Sequence, residues 1–123
     1  RQIIMNSKDE ETGTADKLLI GATDFDIASL AALCRKAGGV PVPAHINKQA
    51  NSVLVTLGAI PEECGFKTVE IHSASPEPKV KLDGYQIIYS SDAHSLGNIL
   101  EREFTIESNE YSIKGVLDAL RQM

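Results

Sequence analysis

The sequence predicts an α/β fold built around a parallel sheet, and three observations carry that expectation. An amphipathic run at residues 26–37 passes through Gly38 and Gly39 directly into a short apolar run, VPVPA, at residues 40–44. Helix, glycine pair, then strand is the αβ half of a βαβ unit, whose strands lie parallel. A second run, QIIY at residues 86–89, is the kind of continuous apolar, β-branched stretch that suits a strand covered on both faces. Strand-like and helix-like runs alternate about three times along the 123 residues, with no internal repeat and no linker, so the chain is one domain or part of one.

The elements follow in order. QIIM at residues 2–5 and KLLI at residues 17–20 are short apolar runs separated by the polar NSKDEETGT, and the two pair as an arm or hairpin. In the helix at 26–37, Ile27, Leu30, Ala31, Cys34 and Ala37 fall on one face. Asp24 or Asp26 caps its start, Arg35 and Lys36 suit its last turn, and the glycine pair supplies the positive φ that ends it. The prolines at 41 and 43 place the strand that follows near an edge or a barrel rim. SVLVTL at 52–57 is ambiguous by period, but Ser52 as a cap and Gly58 as a stop favour a short helix. Residues 61–66 form a connection, TVEIH at 68–72 is the next strand, and residues 73–81, with Pro76 and Pro78, form a loop with room for one helical turn. After the strand at 86–89 come a helical turn near 96–100, a last strand at 104–106, and a final helix opened by Ser112. In that helix Ile113, Val116, Leu117 and Leu120 share one face, and Lys114, Asp118 and Arg121 share the other.

Bulk properties exclude several function classes. With 42% hydrophobic and 24% charged residues, the chain has the composition of a globular protein rather than a disordered one. A net charge of −5 without any Lys/Arg-rich run argues against a nucleic-acid partner. No apolar run approaches the roughly 18 residues of a membrane span, which argues against a membrane partner. Cys34 and Cys64, without a C-x-x-C pattern, fit reduced thiols in a cytoplasmic protein, one disulfide being the alternative. Residue 1 is Arg rather than Met, and we expect a processed N-terminus or a piece of a longer protein.

The chemistry concentrates at strand ends. In YQIIYSSDAH, at residues 85–94, Asp92 and His94 are two apart, which in extended backbone turns both side chains to one side. A carboxylate and an imidazole at the C-terminal end of a strand stand where α/β active sites are built. His45 follows VPVPA and His72 follows TVEI, so parallel neighbouring strands bring three imidazoles towards Asp92. Such donors suit zinc, manganese or iron. Each taken singly has a blander reading, a surface or hydrogen-bonded structural residue. Glu70 shares a strand face with His72 and can join it in a polar cluster. No G-x-S-x-G elbow is present, Cys34 lies on a helix core face and Cys64 has no identifiable base, which argues against a nucleophilic serine or thiol. Gly38 and Gly39 close a helix instead of opening one, the wrong polarity for a phosphate loop.

Two segments together, GGVPVPAHINKQANSV and IIYSSDAHSLGNI, resemble the polymerase-and-histidinol-phosphatase (PHP) superfamily, and in particular bacterial PHP-type phosphoesterases whose late motifs read P-A-H-I-D and S-D-A-H. TADKLLIGAT and KGVLDAL are similar to the same subgroup, so the resemblance spans essentially the whole chain. It implies a distorted (β/α)7 barrel with a cluster of metal ions, usually three, at the C-terminal ends of the strands. It implies further that His45, Asp92 and His94 are ligands to different ions, and it leaves His72 a structural role. Asn47 stands where the subgroup often has Asp. The family's early H-x-H and T-D-H motifs have no counterpart, so residues 1–123 are expected to form the C-terminal part of a single PHP-like domain, a partial barrel of roughly its last three to four βα units.

The resemblance implies hydrolysis of a phosphate ester on a phosphorylated small molecule or nucleotide. Divalent zinc, manganese or iron would be bound in the full domain and held weakly, with little or no activity, by this chain alone. A part-barrel leaves strand edges and apolar helix faces uncovered, so a homodimer or association with a separate N-terminal part is expected. The competing class is a non-catalytic PHP-derived scaffold or partner-binding module. A structural zinc site would have to draw on His45, Asp92, His94 and one cysteine.

Overall fold

The computed structural model describes residues 2–122, which form a mixed α/β arrangement with two separate two-stranded sheets and no closed barrel among the described residues. The first sheet is an antiparallel hairpin of β1 (Gln2–Met5) and β2 (Glu11–Ala15). Its partner strand is therefore the polar ETGTA, not the apolar KLLI expected from the sequence. The turn decides this. Asn6 Oδ1 accepts from the amides of Lys8 and Glu10, and the Asn6 amide donates to the Glu10 carbonyl, so the chain reverses at once and Met5 faces Glu11. Leu18, Leu19 and Ile20 are left exposed beyond the hairpin, with the Leu19 amide donating to the Gln2 side chain.

α1 (Ile27–Lys36) begins where the Asp26 carboxylate accepts from the amide and hydroxyl of Ser29, which selects Asp26 over Asp24 as the cap. These bonds hold the Asp26 carboxyl below its usual range, the Ser29 backbone contributing most. α1 ends at Ala37, and Gly38 turns the chain with φ +85°. Gly39 is tightly packed: a Cβ there would lie 2.8 Å from Cys34 Sγ and 3.2 Å from the Cys34 carbonyl, so Cys34 would have to shift. α2 (Val53–Leu57) forms between the two signals read from sequence, the Ser52 hydroxyl accepting from the Val55 amide and Gly58 closing the helix with φ +78°.

The second sheet positions the site. β3 (Thr68–His72) and β4 (Gln86–Ser90) pair in parallel, with Thr68 opposite Gln86 and His72 opposite Ser90. On the other edge of β3, the Glu70 amide donates to the Pro43 carbonyl and the Ile46 amide donates to the Glu70 carbonyl. Residues 43–46 thus run beside β3 without forming the regular strand expected at 40–44. The two prolines offer no N–H, and among the described residues these two main-chain bonds are what joins the segment to β3.

β3 is the central element and β4 an edge. Thr68, Val69 and Ile71 are buried, whereas β4 is half-buried and Tyr89 is exposed. The apolar run at 86–89 was expected to be covered on both faces. Among the described residues it has one strand neighbour, and burial follows position in the sheet. Ile46, Val53, Val69 and Ile71 form one apolar cluster and Ala31, Cys64 and Phe66 another, with Ile27, Ile60 and Tyr85 packed against both. The Thr68 hydroxyl donates to the Leu120 carbonyl at 2.7 Å and so fastens α3 (Ile113–Arg121) to the sheet.

Residues 104–106 are not a strand; among the described residues no neighbour pairs with them, and Phe104 instead sets its ring edge against Tyr89 at 5.5 Å. In α3, Leu117 and Leu120 are half-buried while Ile113 and Val116 of the same apolar face are exposed. No helix among the described residues is long and apolar enough to cross a membrane.

Candidate functional site

His45 and Asp92 stand just past two parallel segments that flank β3, and both have left-handed backbones, φ +32° and +49°. That conformation costs free energy in residues with a Cβ and persists only where surrounding bonds enforce it. At His45 the enforcing elements are the Lys48 amide, which donates back to the His45 carbonyl, and the neighbouring Ile46 amide, which bonds to Glu70. At Asp92 a relay does the same work: the Ser90 hydroxyl donates to the Glu70 carboxylate and accepts from the Asp92 amide. Glu70 therefore serves Ser90, not His72. The His72 ring instead has Nδ1 2.8 Å from the Ser75 hydroxyl.

His45, Asp92 and His94 line one open cavity of about 580 Å³, together with Lys48, Asn51 and Ser75. Their surroundings differ. The His94 ring is exposed, and its Nδ1 lies 2.7 Å from the Asp92 carbonyl oxygen. A carbonyl only accepts, so this nitrogen carries the proton, and in the neutral ring Nε2 keeps its lone pair for another partner. His45 is half-buried, and its Nδ1 is the one buried side-chain nitrogen or oxygen among the described residues without a hydrogen-bond partner. Leaving such an atom unpaired costs about 1–3 kcal/mol. It is a donor or acceptor position that the protein builds and does not use internally.

Asp92 is held by Lys48, whose Nζ lies 2.5 Å from Oδ2. Chiefly because of that hydrogen bond, the Asp92 carboxyl sits below the usual carboxylate range, with the charges of Lys48, His45 and His94 adding to the effect. A lowered carboxyl pKa means that the stabilisation from this pair is present above the ordinary carboxylate range and is lost as pH falls through the lowered value. Sequence reasoning missed Lys48. A lysine three residues past a strand end is a generic surface residue, and only the fold brings it across to Asp92.

It also missed what Asn47 does. The buried Asn47 amide lies along the free edge of β3: Oδ1 accepts from the His72 amide at 2.8 Å, while Nδ2 faces the carbonyls of His72, Ser75 and Pro76 at 2.9, 3.3 and 3.1 Å. One side chain thereby extends the ladder where the main chain of residues 43–46 leaves it. It also fixes the loop after β3 beside the cavity.

A divalent cation fits these residues in kind. Two imidazoles and a carboxylate are hard-to-borderline donors, one ring nitrogen is buried without a partner, and a second is freed by its tautomer. They do not make a closed set, since no three His, Cys, Asp or Glu side chains are grouped to hold one metal ion among the described residues. Cys34 and Cys64 are free thiols. Burial, reinforced by Glu63, pushes the Cys64 thiol up, which removes it as a nucleophile at neutral pH. A larger cavity of about 880 Å³ beside α3 is lined by Glu107, Glu110 and Asp118 but by no imidazole or thiol. The chain matches no protein-family model, no curated protein and no solved structure.

Proposed function

We propose that this chain forms the late-motif, C-terminal part of a cytoplasmic, PHP-type metal-dependent phosphoesterase, acting on a phosphorylated small molecule or nucleotide. The observation that supports the reading is that His45, Asp92 and His94 line one cavity just past the ends of parallel segments. Zinc, manganese or iron held by His45, Asp92 and His94 would supply a water of lowered pKa and neutralise charge on phosphoryl oxygens. The protein's own groups prepare this. Glu70 and Ser90 fix the Asp92 backbone, the Asp92 carbonyl sets the His94 tautomer, and Lys48 holds the carboxylate ionised.

The three ligands are spread over different ions in this reading, so the chain alone has too few donors around each. Calorimetric titration with Mn²⁺ is expected to give weak, millimolar binding, and assays with phosphomonoesters little or no turnover. Removing the Lys48 ammonium by K48M tightens Mn²⁺ binding several-fold, because the cation no longer competes for Asp92. Two or more tightly bound ions per chain with turnover would overturn the part-site reading. Indifference of Mn²⁺ binding to both K48M and D92N would overturn the metal reading itself.

A second reading, a non-catalytic PHP-derived scaffold or partner-binding module, draws on the Lys48–Asp92 contact, since an internal ammonium already occupies the carboxylate. Both readings expect association through uncovered apolar surface. Leu18, Leu19, Ile20, Tyr111 and Ile113 are all more than 70% exposed. Light scattering across a concentration series should show a dimer or larger species; a monomer at the highest concentration would contradict it.

A further inference from the structure

At the opposite end of β3 from this cavity, about 15 Å away along the strand, three cationic side chains meet. Arg35 in the last turn of α1, Lys67 just before β3 and Arg121 in the last turn of α3 line a small cavity of about 170 Å³, with Gly39, Gly65 and Pro41. The chain as a whole carries −5, so three positive groups around one recess, with no acidic residue in its lining, run against its average. Walls of glycine and proline and one sign of charge focus the field in such a recess.

Arg35 is positioned by a main-chain carbonyl, and Arg121 by a main-chain carbonyl together with an ion pair to Asp118. Arg35 donates to the Cys64 carbonyl, and Arg121 donates to the Gly38 carbonyl at 2.6 Å and to the Asp118 carboxylate at 3.1 Å. Asp118 also receives Lys114, so it is shared between two cations. Each guanidinium has five N–H donors, and among the described residues the protein engages one on Arg35 and two on Arg121. Lys67 and Arg35 make no ion pair among the described residues. At Gly65, whose φ is +57°, a Cβ would make ordinary van der Waals contact with the Arg35 guanidinium, at 3.5 Å. The volume falls below the roughly 300 Å³ at which drug-sized pockets begin, so the recess suits an ion or one small group.

We infer that Arg35, Lys67 and Arg121 form a binding site for a tetrahedral oxyanion, either free phosphate or the phosphate group of a small molecule, at the end of the sheet remote from His45 and Asp92. Two forks and a point charge are the donors that such an anion takes. The inference is independent of the phosphoesterase reading, because it uses none of that site's residues.

The test is an amide-resolved NMR titration of the whole chain with inorganic phosphate, with glycerol 2-phosphate, and with sodium chloride at matched ionic strength. The amides of Gly39, Gly65 and Lys67 are expected to shift saturably with phosphate or the monoester, with a dissociation constant near or below about 1 mM, and only slightly with chloride. Tighter binding of inorganic phosphate assigns the site to the free ion, and tighter binding of the monoester to a phosphate group on a larger molecule. The exposed, unpaired Lys67 gives the clean variants: K67E weakens binding by about tenfold or more and K67Q by less, in the same direction. Shifts that track chloride, or curves unchanged in K67E and K67Q, would overturn the inference.

Discussion

Replacing Asn47 with aspartate lowers the melting temperature by about 12 °C. The substitution changes only an amide for a carboxylate. In this chain, however, the side chain is buried, and its nitrogen faces three main-chain carbonyls, those of His72, Ser75 and Pro76. An aspartate there loses those donors and sets a negative oxygen against carbonyl oxygens. A buried group deprived of its partners costs about 1–3 kcal/mol, and the added repulsion places N47D at the upper end. At about 4 °C per kcal/mol for a chain of this size, the shift follows.

The pH dependence carries a sign. The surrounding carbonyls raise the new carboxyl's pKa in the folded state, so N47D loses stability as pH rises through that raised value and recovers as pH falls, when the protonated oxygen can donate again. N47A lacks the charge, so at neutral pH it falls less far and shows no such recovery. Thermal unfolding followed by circular dichroism checks all three statements; an N47D protein that melts within about 2 °C of the parent would refute them.

The second large effect reverses the sign that helix propensity gives. Alanine in place of glycine inside a helix ordinarily stabilises by about 1 kcal/mol. Gly115, in the first turn of α3, is buried, and a Cβ there would lie 2.2 Å from the Glu110 carbonyl oxygen and 2.5 Å from the Ser108 hydroxyl. Both contacts are far inside van der Waals range, and the first is with backbone, which has little room to yield. The loop at 108–112 must move off the helix or the helix off the sheet. Movement of the helix strains the bonds from Thr68 to the Leu120 carbonyl and from Arg121 to the Gly38 carbonyl. Overpacking of this kind costs about 1–3 kcal/mol, so G115A is expected to melt about 8 °C lower. A rise in melting temperature would show that propensity outweighs packing at this position.

Local signals in the sequence were read well and non-local pairings poorly. Ser52 with Gly58, and Ser112 at the start of α3, bracket helices because capping is settled within four residues, and the structure has those caps. The hairpin partner of β1 was misplaced because hydrophobicity favoured KLLI, whereas the Asn6 turn selects ETGTA. The run at 86–89 is as apolar as a central strand, yet it is the edge of its sheet, and no local pattern encodes how many neighbours a strand acquires. At the candidate site, the residue types were legible at His45, Asp92 and His94, and the structure brings them to one cavity. Lys48 and Asn47 were not read as part of it. Their roles arise from contacts across 44 and 25 residues of sequence, to Asp92 and His72, and depend on how the segments flanking β3 end.

His45, Asp92 and His94, proposed as cation ligands, line a shared cavity. Paramagnetic broadening by substoichiometric Mn²⁺ in amide- and imidazole-resolved NMR spectra tests this residue by residue. The predicted result is broadening confined to His45, Asp92, His94 and their immediate neighbours, weakened by D92N and strengthened by K48M. Broadening centred on other acidic residues such as Glu62 and Glu63, with these three signals unaffected and D92N without consequence, would contradict it.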